Sequence, residues 1–187
     1  HSELRRKQVA RRRSILIVGW DFDGRIKLCP DDAQSPPLGD FLRSLVGKNP
    51  HLEVRILVWS GAVVHTPSAS APLLFGDPWQ DHERITIKLD RHHPIYASHH
   101  QKIVVIDDQA AFAGGIDLTV ERWDACDHKA SDASRLAPDG DSYGPVHDVQ
   151  MVVDGDAARF VSEVARARWH AATGERLEAI NGTGDAW

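Results

Sequence analysis

The sequence contains few cysteines, few aromatic residues and no long apolar run, and each shortage excludes a class of protein. Two cysteines among 187 residues cannot supply a disulfide framework or a cysteine-based metal site, so two buried free thiols are expected. Uninterrupted apolar runs such as Ile103–Ile106 have the length of a strand, far below the roughly 18 residues that a membrane helix needs. With 42% hydrophobic and 26% charged residues, the composition is that of an ordinary globular protein.

The charge balance makes nucleic acid an unlikely partner. The formal net charge is −5, which argues against a surface that tracks a phosphate backbone along its whole length. Basic residues are concentrated in the first segment, residues 2–13, which is predicted to be a helix. They could contact anionic lipid head groups, but the simpler interpretation is a solvated helix face. The eleven histidines form no His-Glu-x-x-His or Cys/His pattern, so neither a metal nor any other cofactor is expected.

The hydrophobic pattern predicts an α/β protein. An apolar strand at 14–20, a helix at 38–47 and a second strand at 52–59 follow one another, which is the order of a mostly parallel sheet flanked by helices. One domain is expected over 1–187, with a core at about 14–175 and a tail at 176–187. The remaining predicted elements are strands at 84–89, 98–106, 110–113 and 148–153 and a helix at 157–171.

The most informative motif is His100-Gln101-Lys102, followed by four apolar residues and Asp107. On a strand, residues two positions apart project from the same face, so the imidazole and the ammonium are expected side by side. A phosphodiester suits this pair, because the ammonium binds the anionic phosphate while the ring attacks phosphorus or transfers a proton.

Together with the Gly-rich stretch Gly114-Gly115-Ile116-Asp117, this motif resembles the His-x-Lys-x4-Asp motif of the phospholipase D superfamily. The resemblance extends over about residues 14–175, and its further pieces are 19–23, 89–94, 98–102, 122–124 and 143–148. It implies a phospholipase D-like half-domain with a mixed sheet. The chain is most similar to the N-terminal half of bacterial sequences that carry two such motifs.

The resemblance implies a role for each motif residue. His100 is expected to form a phosphohistidine and Lys102 to bind a non-bridging phosphate oxygen. Asp107 completes the motif and is counted with the catalytic set, although its odd offset of five positions turns it away from Lys102 on a strand and predicts a structural role at the turn. His99, on the opposite strand face, is also expected to be structural.

Five further residues are candidates for the site. Asp148 matches the acidic residue that orients the nucleophilic His, with Asp117 and Asp124 as alternatives. Substrate binding is assigned to Asp117, His147 and Gly115; because Gly115 stands where the wider superfamily has Ser, it would act through its backbone N–H.

No other His in the chain has a Lys two residues on, so the chain supplies one half of a paired site. The expected partner is a second motif-bearing half, either from the same longer polypeptide or from a homodimer. The implied activity is hydrolysis or transphosphatidylation of phospholipids, with peripheral contact to a membrane. The alternatives are a single-motif homodimeric endonuclease-like phosphodiesterase, a cardiolipin synthase-like transferase and an inactive interaction module. The sequence does not fix the compartment; the bacterial cytoplasm or membrane periphery fits best.

Overall fold

A computed structural model of the chain describes residues 13–61, 76–94 and 97–180. Six strands form one sheet in the order β3-β2-β1-β4-β5-β6. The elements in chain order are β1 (Arg13–Gly19), α1 (Leu38–Lys48), β2 (Leu52–Trp59), a 3₁₀ turn (Pro78–Gln80), β3 (Ile85–Asp90), β4 (Ile103–Ile106), β5 (Ala110–Gly114), β6 (Gln150–Asp154) and α2 (Gly155–Thr173). None of the described helices is long and apolar enough to cross a bilayer.

The sheet is mixed and carries helices, which confirms the predicted fold class. One half is parallel, since β1 pairs with β2 and β2 with β3 in that sense. The other half is antiparallel, because β4 pairs with β1, β5 with β4, and β6 with β5. The expectation that most pairings are parallel is therefore wrong: no crossover helix separates β4 from β5, and a tight turn joins them as a hairpin.

Two apolar layers hold the sheet, one on each face. Helix α1 packs through Leu38, Leu42 and Val46 on the face formed by β1, β2 and β3. Helix α2 packs through Ala158, Ala165 and Trp169 on the opposite face, mainly over β1, β4 and β5. The continuous apolar sequence of β1 follows from this arrangement, because a strand between two helical layers is buried on both faces.

Several predicted boundaries move. Arg13 is the first residue of β1 rather than the end of a helix, and the rest of the predicted 2–13 helix lies outside the described residues. Residues 176–180 of the predicted tail are irregular, and 181–187 lie outside the description. Cys29 and Cys126 are free, as expected, but exposed rather than buried.

The sheet has a topological switch at β1. The chain leaves β1 toward β2 on one side, while β4 lies on its other side. Ligands of α/β proteins bind in the crevice beyond the carboxyl ends of strands at such a point. The carboxyl ends of β1, β2, β3 and β5 and the amino ends of β4 and β6 meet at this edge, which we call the site edge.

Candidate functional site

The His-x-Lys motif lies at the site edge, just before β4 rather than within a strand. The prediction of a strand from residue 98 is wrong, because β4 begins at Ile103, opposite the last residues of β1. Lys102 still accepts a backbone hydrogen bond from Gly114 at 3.3 Å, so the chain remains extended there. His100 is exposed to solvent, whereas Lys102 is only 6% exposed.

The ammonium of Lys102 is paired with a buried carboxylate. Its Nζ lies 2.7 Å from Oδ2 of Asp117, and both side chains are almost inaccessible. One of the three N–H groups of the ammonium can face this carboxylate, and no other acceptor among the described residues is close enough to Nζ for a hydrogen bond, so two donors remain. Asp117 is fixed from the other side, since its Oδ1 accepts from the backbone N–H groups of Trp20 at 2.8 Å and Asp21 at 3.3 Å.

Trp20, the first residue after β1, contacts each member of this group. Its ring meets the His100 ring edge-on, with 5.9 Å between centroids, and lies 5.9 Å from Lys102 Nζ. On its other side it stacks on Trp59 at 5.4 Å. The indole therefore borders both side chains of the motif, a contact that sequence reasoning missed because Trp20 lies 80 positions upstream of His100.

His99 and His100 point into different environments, as the alternation predicted. His99 is buried, and its Nε2 lies 3.3 Å from Oδ2 of Asp90, which also pairs with Arg168 of α2. Burial lowers the pKa of His99 to about 4, against the opposing effect of the Asp90 carboxylate. His99 is therefore neutral around pH 7 and belongs to the packing beneath the site.

Asp107 lies at the far edge of the sheet from Lys102. Five residues of extended chain separate the two, roughly 16 Å at about 3.3 Å per residue. The Asp107 carboxylate accepts from Arg13 Nη1 at 2.7 Å and from the backbone N–H of Ser14 at 2.8 Å. These bonds attach the β4–β5 turn to the start of β1, so Asp107 contacts no other candidate residue, in line with the structural role that its facing predicted.

Asp148 and Gly115 meet at the site edge. A Cβ added to Gly115 would lie 2.1 Å from Asp148 Oδ1, so the carboxylate rests directly on the glycine. Asp148 is exposed and accepts from the backbone N–H of Val149 at 2.7 Å. The Gly115 N–H donates to the Val149 carbonyl at 3.1 Å, so the expectation that it is free to bind phosphate is wrong in this arrangement. No hydrogen bond among the described residues joins Asp148 to His100.

His147 belongs to a separate cluster built on Asp124. Its Nδ1 lies 3.2 Å from His128 Nε2, and His128 Nδ1 lies 2.9 Å from Asp124 Oδ2. The buried Arg135 donates to Asp124 Oδ1 at 2.6 Å, and the backbone N–H of Val146 donates to Oδ2 at 2.9 Å. The His128 and Arg135 side chains hold the pKa of Asp124 far below its ordinary value.

This cluster organises the polar stretch 125–144, which has no helix or strand. Arg135 is 1% exposed and also donates to the Tyr143 carbonyl at 3.3 Å, so one buried guanidinium links both ends of the stretch. The sequence offered no signal for this, because an isolated Arg in a polar segment has the same pattern as a solvated one.

A second carboxylate, that of Asp21, is buried close to the Lys102–Asp117 pair. It accepts a hydrogen bond from the Thr119 hydroxyl at 2.8 Å, and burial raises its pKa. Among residues 13–61, 76–94 and 97–180, no three His, Cys, Asp or Glu side chains converge to hold a metal ion. The absence of a metal from the chemistry stays a prediction.

These observations define a mixed α/β protein that carries a His/Lys pair at the switch point of its sheet. The family model for phospholipase D matches residues 8–182, and the chain belongs to that family. It is 28% identical to phospholipase D C of Dictyostelium discoideum over 83% of its own length, and 34% identical to phospholipase D A of the same organism over 41%. It spans only 11% and 8% of those proteins.

The fold also matches a solved structure of similar size. The chain aligns with Nuc from Salmonella typhimurium, a phospholipase D family member, at a TM-score of 0.51 and 16% identity. The alignment covers 92% of this chain and 91% of Nuc. At this identity the likeness establishes the fold alone.

Proposed function

We propose that this chain is the half-site of a phosphodiesterase of phospholipase D type, acting on phospholipid head groups. The observation that carries the proposal is the placement of an exposed imidazole, His100, beside a buried ammonium, Lys102, at the switch point of the sheet. The Lys102 ammonium, fixed by Asp117 on one side, keeps two N–H donors for the oxygens of a phosphate, and the low dielectric of a buried site strengthens such bonds.

In the proposed reaction His100 attacks phosphorus, the N–P bond forms and the bond from phosphorus to the head-group oxygen breaks. The leaving oxygen takes a proton from an acid, which the second half supplies. Water or an alcohol then attacks phosphorus, returns a proton to that group and releases His100. Lys102 stabilises the charge on the non-bridging oxygens throughout.

Asp117 acts through Lys102 in this proposal rather than on the phosphate. A carboxylate repels an anionic phosphate, and its 2.7 Å contact instead fixes the ammonium. Its two backbone hydrogen bonds fix the carboxylate in turn. Asp117 is therefore a positioning residue.

Asp148 remains the proposed orienting group for His100. It is exposed at the site edge, where rotation of one side chain can bring it to the imidazole when substrate is bound. His147 stays a proposed contact at the rim of the site, held by His128.

The pairing with a second half rests on the single His-x-Lys motif in 187 residues. Analytical ultracentrifugation at micromolar concentration distinguishes the two forms of the partner. A homodimer that turns over substrate supports self-pairing, whereas an inactive monomer supports a partner on another segment of chain.

The activity is tested by choline release and by alcohol exchange on phosphatidylcholine, with single-stranded DNA as the competing substrate. The His100→Ala variant is expected to lose turnover by roughly 10³-fold or more, because it removes the nucleophile. His51→Ala, an exposed histidine at the start of β2, is the matched control. Near-normal turnover of His100→Ala, or turnover of DNA but not of lipid, contradicts the proposal.

A further inference from the structure

A cavity of about 880 Å³ lies next to the Lys102–Asp117 pair. Three segments form its walls: the loop after β1 (25–37), the segment after β5 (116–123) and part of the polar stretch (133–143). Its volume is that of a small-molecule site, typically about 300–1,000 Å³. Nothing in the reaction described above uses it.

The walls are largely aliphatic. Two of the lining side chains are large, apolar and unusually accessible: Leu28 is 48% exposed and Leu136 is 52% exposed. They come from different segments and border the same space. Covering them with an apolar ligand removes hydrocarbon from water, which is favourable by about 25 cal/mol for each Å².

Asp117 links the cavity to the catalytic group. It lines the cavity, and its carboxylate lies 2.7 Å from Lys102 Nζ. The Asp117 side chain therefore lies between the ammonium that holds the phosphate and the cavity, which places an apolar-walled space next to the phosphate site.

The border of the cavity also carries charge. Lys27 and Arg122 make no ion pair with a carboxylate anywhere in the described part of the chain, whereas Arg25 is paired with Asp23 at 2.6 Å. Asp31 and Glu121 lie on the same border, so it is not uniformly positive. The two unpaired cations complement the phosphate region of a phospholipid that inserts its apolar part.

One wall is fixed by the Asp124 cluster. Arg135 adjoins Leu136 in sequence, is buried, and is bonded to Asp124 and to the carbonyl of Tyr143, another lining residue. The wall is thereby attached to the segment that carries Trp123. A preformed cavity costs less binding energy than one that must be ordered by its ligand.

We propose that this cavity binds the acyl region of the glycerophospholipid whose phosphate is held at His100 and Lys102. The inference rests on the proposed function and assigns the polar stretch 125–144 a part in recognising lipid. Aliphatic walls favour an acyl chain over a nucleobase, because a base needs hydrogen-bond partners at its edges.

Binding is tested without catalysis by tryptophan fluorescence. A short-chain phosphatidylcholine with a brominated acyl chain quenches an indole at close range, and Trp123 lines the cavity. Saturable quenching that is absent with the unbrominated lipid and markedly smaller in Trp123→Phe is the expected result; Trp20, beside the phosphate site, accounts for what remains. Trp79→Phe, in the packing of α1, is the matched control and is expected to retain the quenching. Undiminished quenching in Trp123→Phe overturns the proposal.

The second test uses the ratio of kcat/KM between dihexanoyl- and dibutyryl-phosphatidylcholine, both below their micellar concentrations. Burial predicts a gain of about fourfold for each methylene that enters the cavity. Leu136→Gln is expected to reduce this ratio toward one, while Val164→Gln, an exposed apolar residue on α2, retains it. An unchanged ratio in Leu136→Gln overturns the acyl assignment.

The two proposals fail in different ways. If the protein paired with its second half, as a homodimer or in a longer chain, hydrolyses neither lipid nor bis(p-nitrophenyl) phosphate, the proposed function fails, while the quenching experiment still decides whether the cavity binds acyl chains. If it hydrolyses lipid without chain-length preference and without quenching, the proposed function stands and the cavity assignment is wrong. The cavity assignment would also be wrong if a nucleotide, and not an unbrominated lipid, prevented the quenching of Trp123 by the brominated lipid.

Discussion

The two ends of strand β4 carry parts of one sequence motif but differ in chemistry. At its amino end Lys102 is buried with Asp117, beside Trp20 and the exposed His100. At its carboxyl end Asp107 bonds to Arg13 and to the backbone of Ser14. The first end combines a buried ion pair with an exposed imidazole, whereas the second end is a surface ion pair that attaches the turn to β1.

Buried polar groups follow the same division. Most of them lie at the site edge, including Asp21, Asp90, His99, Lys102 and Asp117. Burial of so many ionisable groups costs free energy unless they are paired, and proteins retain such groups where they serve a function. The comparison teaches that a contiguous sequence motif can combine a reacting group with a residue that only maintains the fold.

Removal of Lys102 is expected to have the largest effect. Lys102→Met should lower kcat by about 10²–10³-fold, because the charge that stabilises the transition state is lost. It should also lower the free energy of unfolding by about 3–5 kcal/mol, since the buried Asp117 is left without its counter-charge. Steady-state kinetics and urea denaturation measure the two effects.

A double variant separates them. Adding Asp117→Asn to Lys102→Met removes the uncompensated charge, so most of the stability should return while activity does not. Recovery of activity would show that Lys102 has only a structural role, and the contrast between the two ends of β4 would disappear.

A smaller effect is expected from His99 as the pH falls. The unfolded chain binds a proton at His99 below about pH 6.5, whereas the folded chain binds it only near pH 4. Unfolding therefore takes up a proton in this window, and stability is lost as the pH falls from 6.5 to 4, by up to about 3 kcal/mol.

Urea unfolding of the protein and of His99→Gln at several pH values measures this. The difference in unfolding free energy between the two should shrink as the pH decreases through the window, because the variant lacks the titrating ring. A constant difference would mean that His99 is protonated in the folded state and is not part of a neutral layer beneath the site.

The smallest effect belongs to the far end of β4. Asp107→Asn keeps a residue that tolerates the positive φ of 55° found there, but removes the charge that Arg13 contacts. We expect a loss of about 1 kcal/mol in the free energy of unfolding. No change in kcat/KM beyond assay error is expected, and a large kinetic defect would contradict the division between the two ends.

The sequence was most informative where a local pattern decides the structure. The apolar run at 52–59 coincides with β2 (Leu52–Trp59), and the helix expected at 157–171 lies within α2 (Gly155–Thr173). The polar pair at 107–108 forms the predicted turn between β4 and β5. The start of β4 was misplaced because strand length depends on where its partner β1 ends, which no local pattern records.

The candidate site was predictable only in part. The motif spacing identified His100 and Lys102 as candidates. The roles of Trp20 and of the Asp124–Arg135 pair depend on tertiary contacts, which no local pattern records. The free N–H assigned to Gly115 was wrong for the same reason, since its acceptor, Val149, lies on a segment 34 residues further on.

The contact between Gly115 and Asp148 ties two positions of the site edge together. A side chain at 115 would meet the carboxylate of Asp148, an exposed side chain that can rotate away. At Gly114 an added Cβ would instead lie 2.2 Å from the Val149 carbonyl, which belongs to the backbone. Replacement at 114 thus threatens the strand pairing, whereas replacement at 115 redirects an acid, so two adjacent glycines differ in what a substitution would disturb.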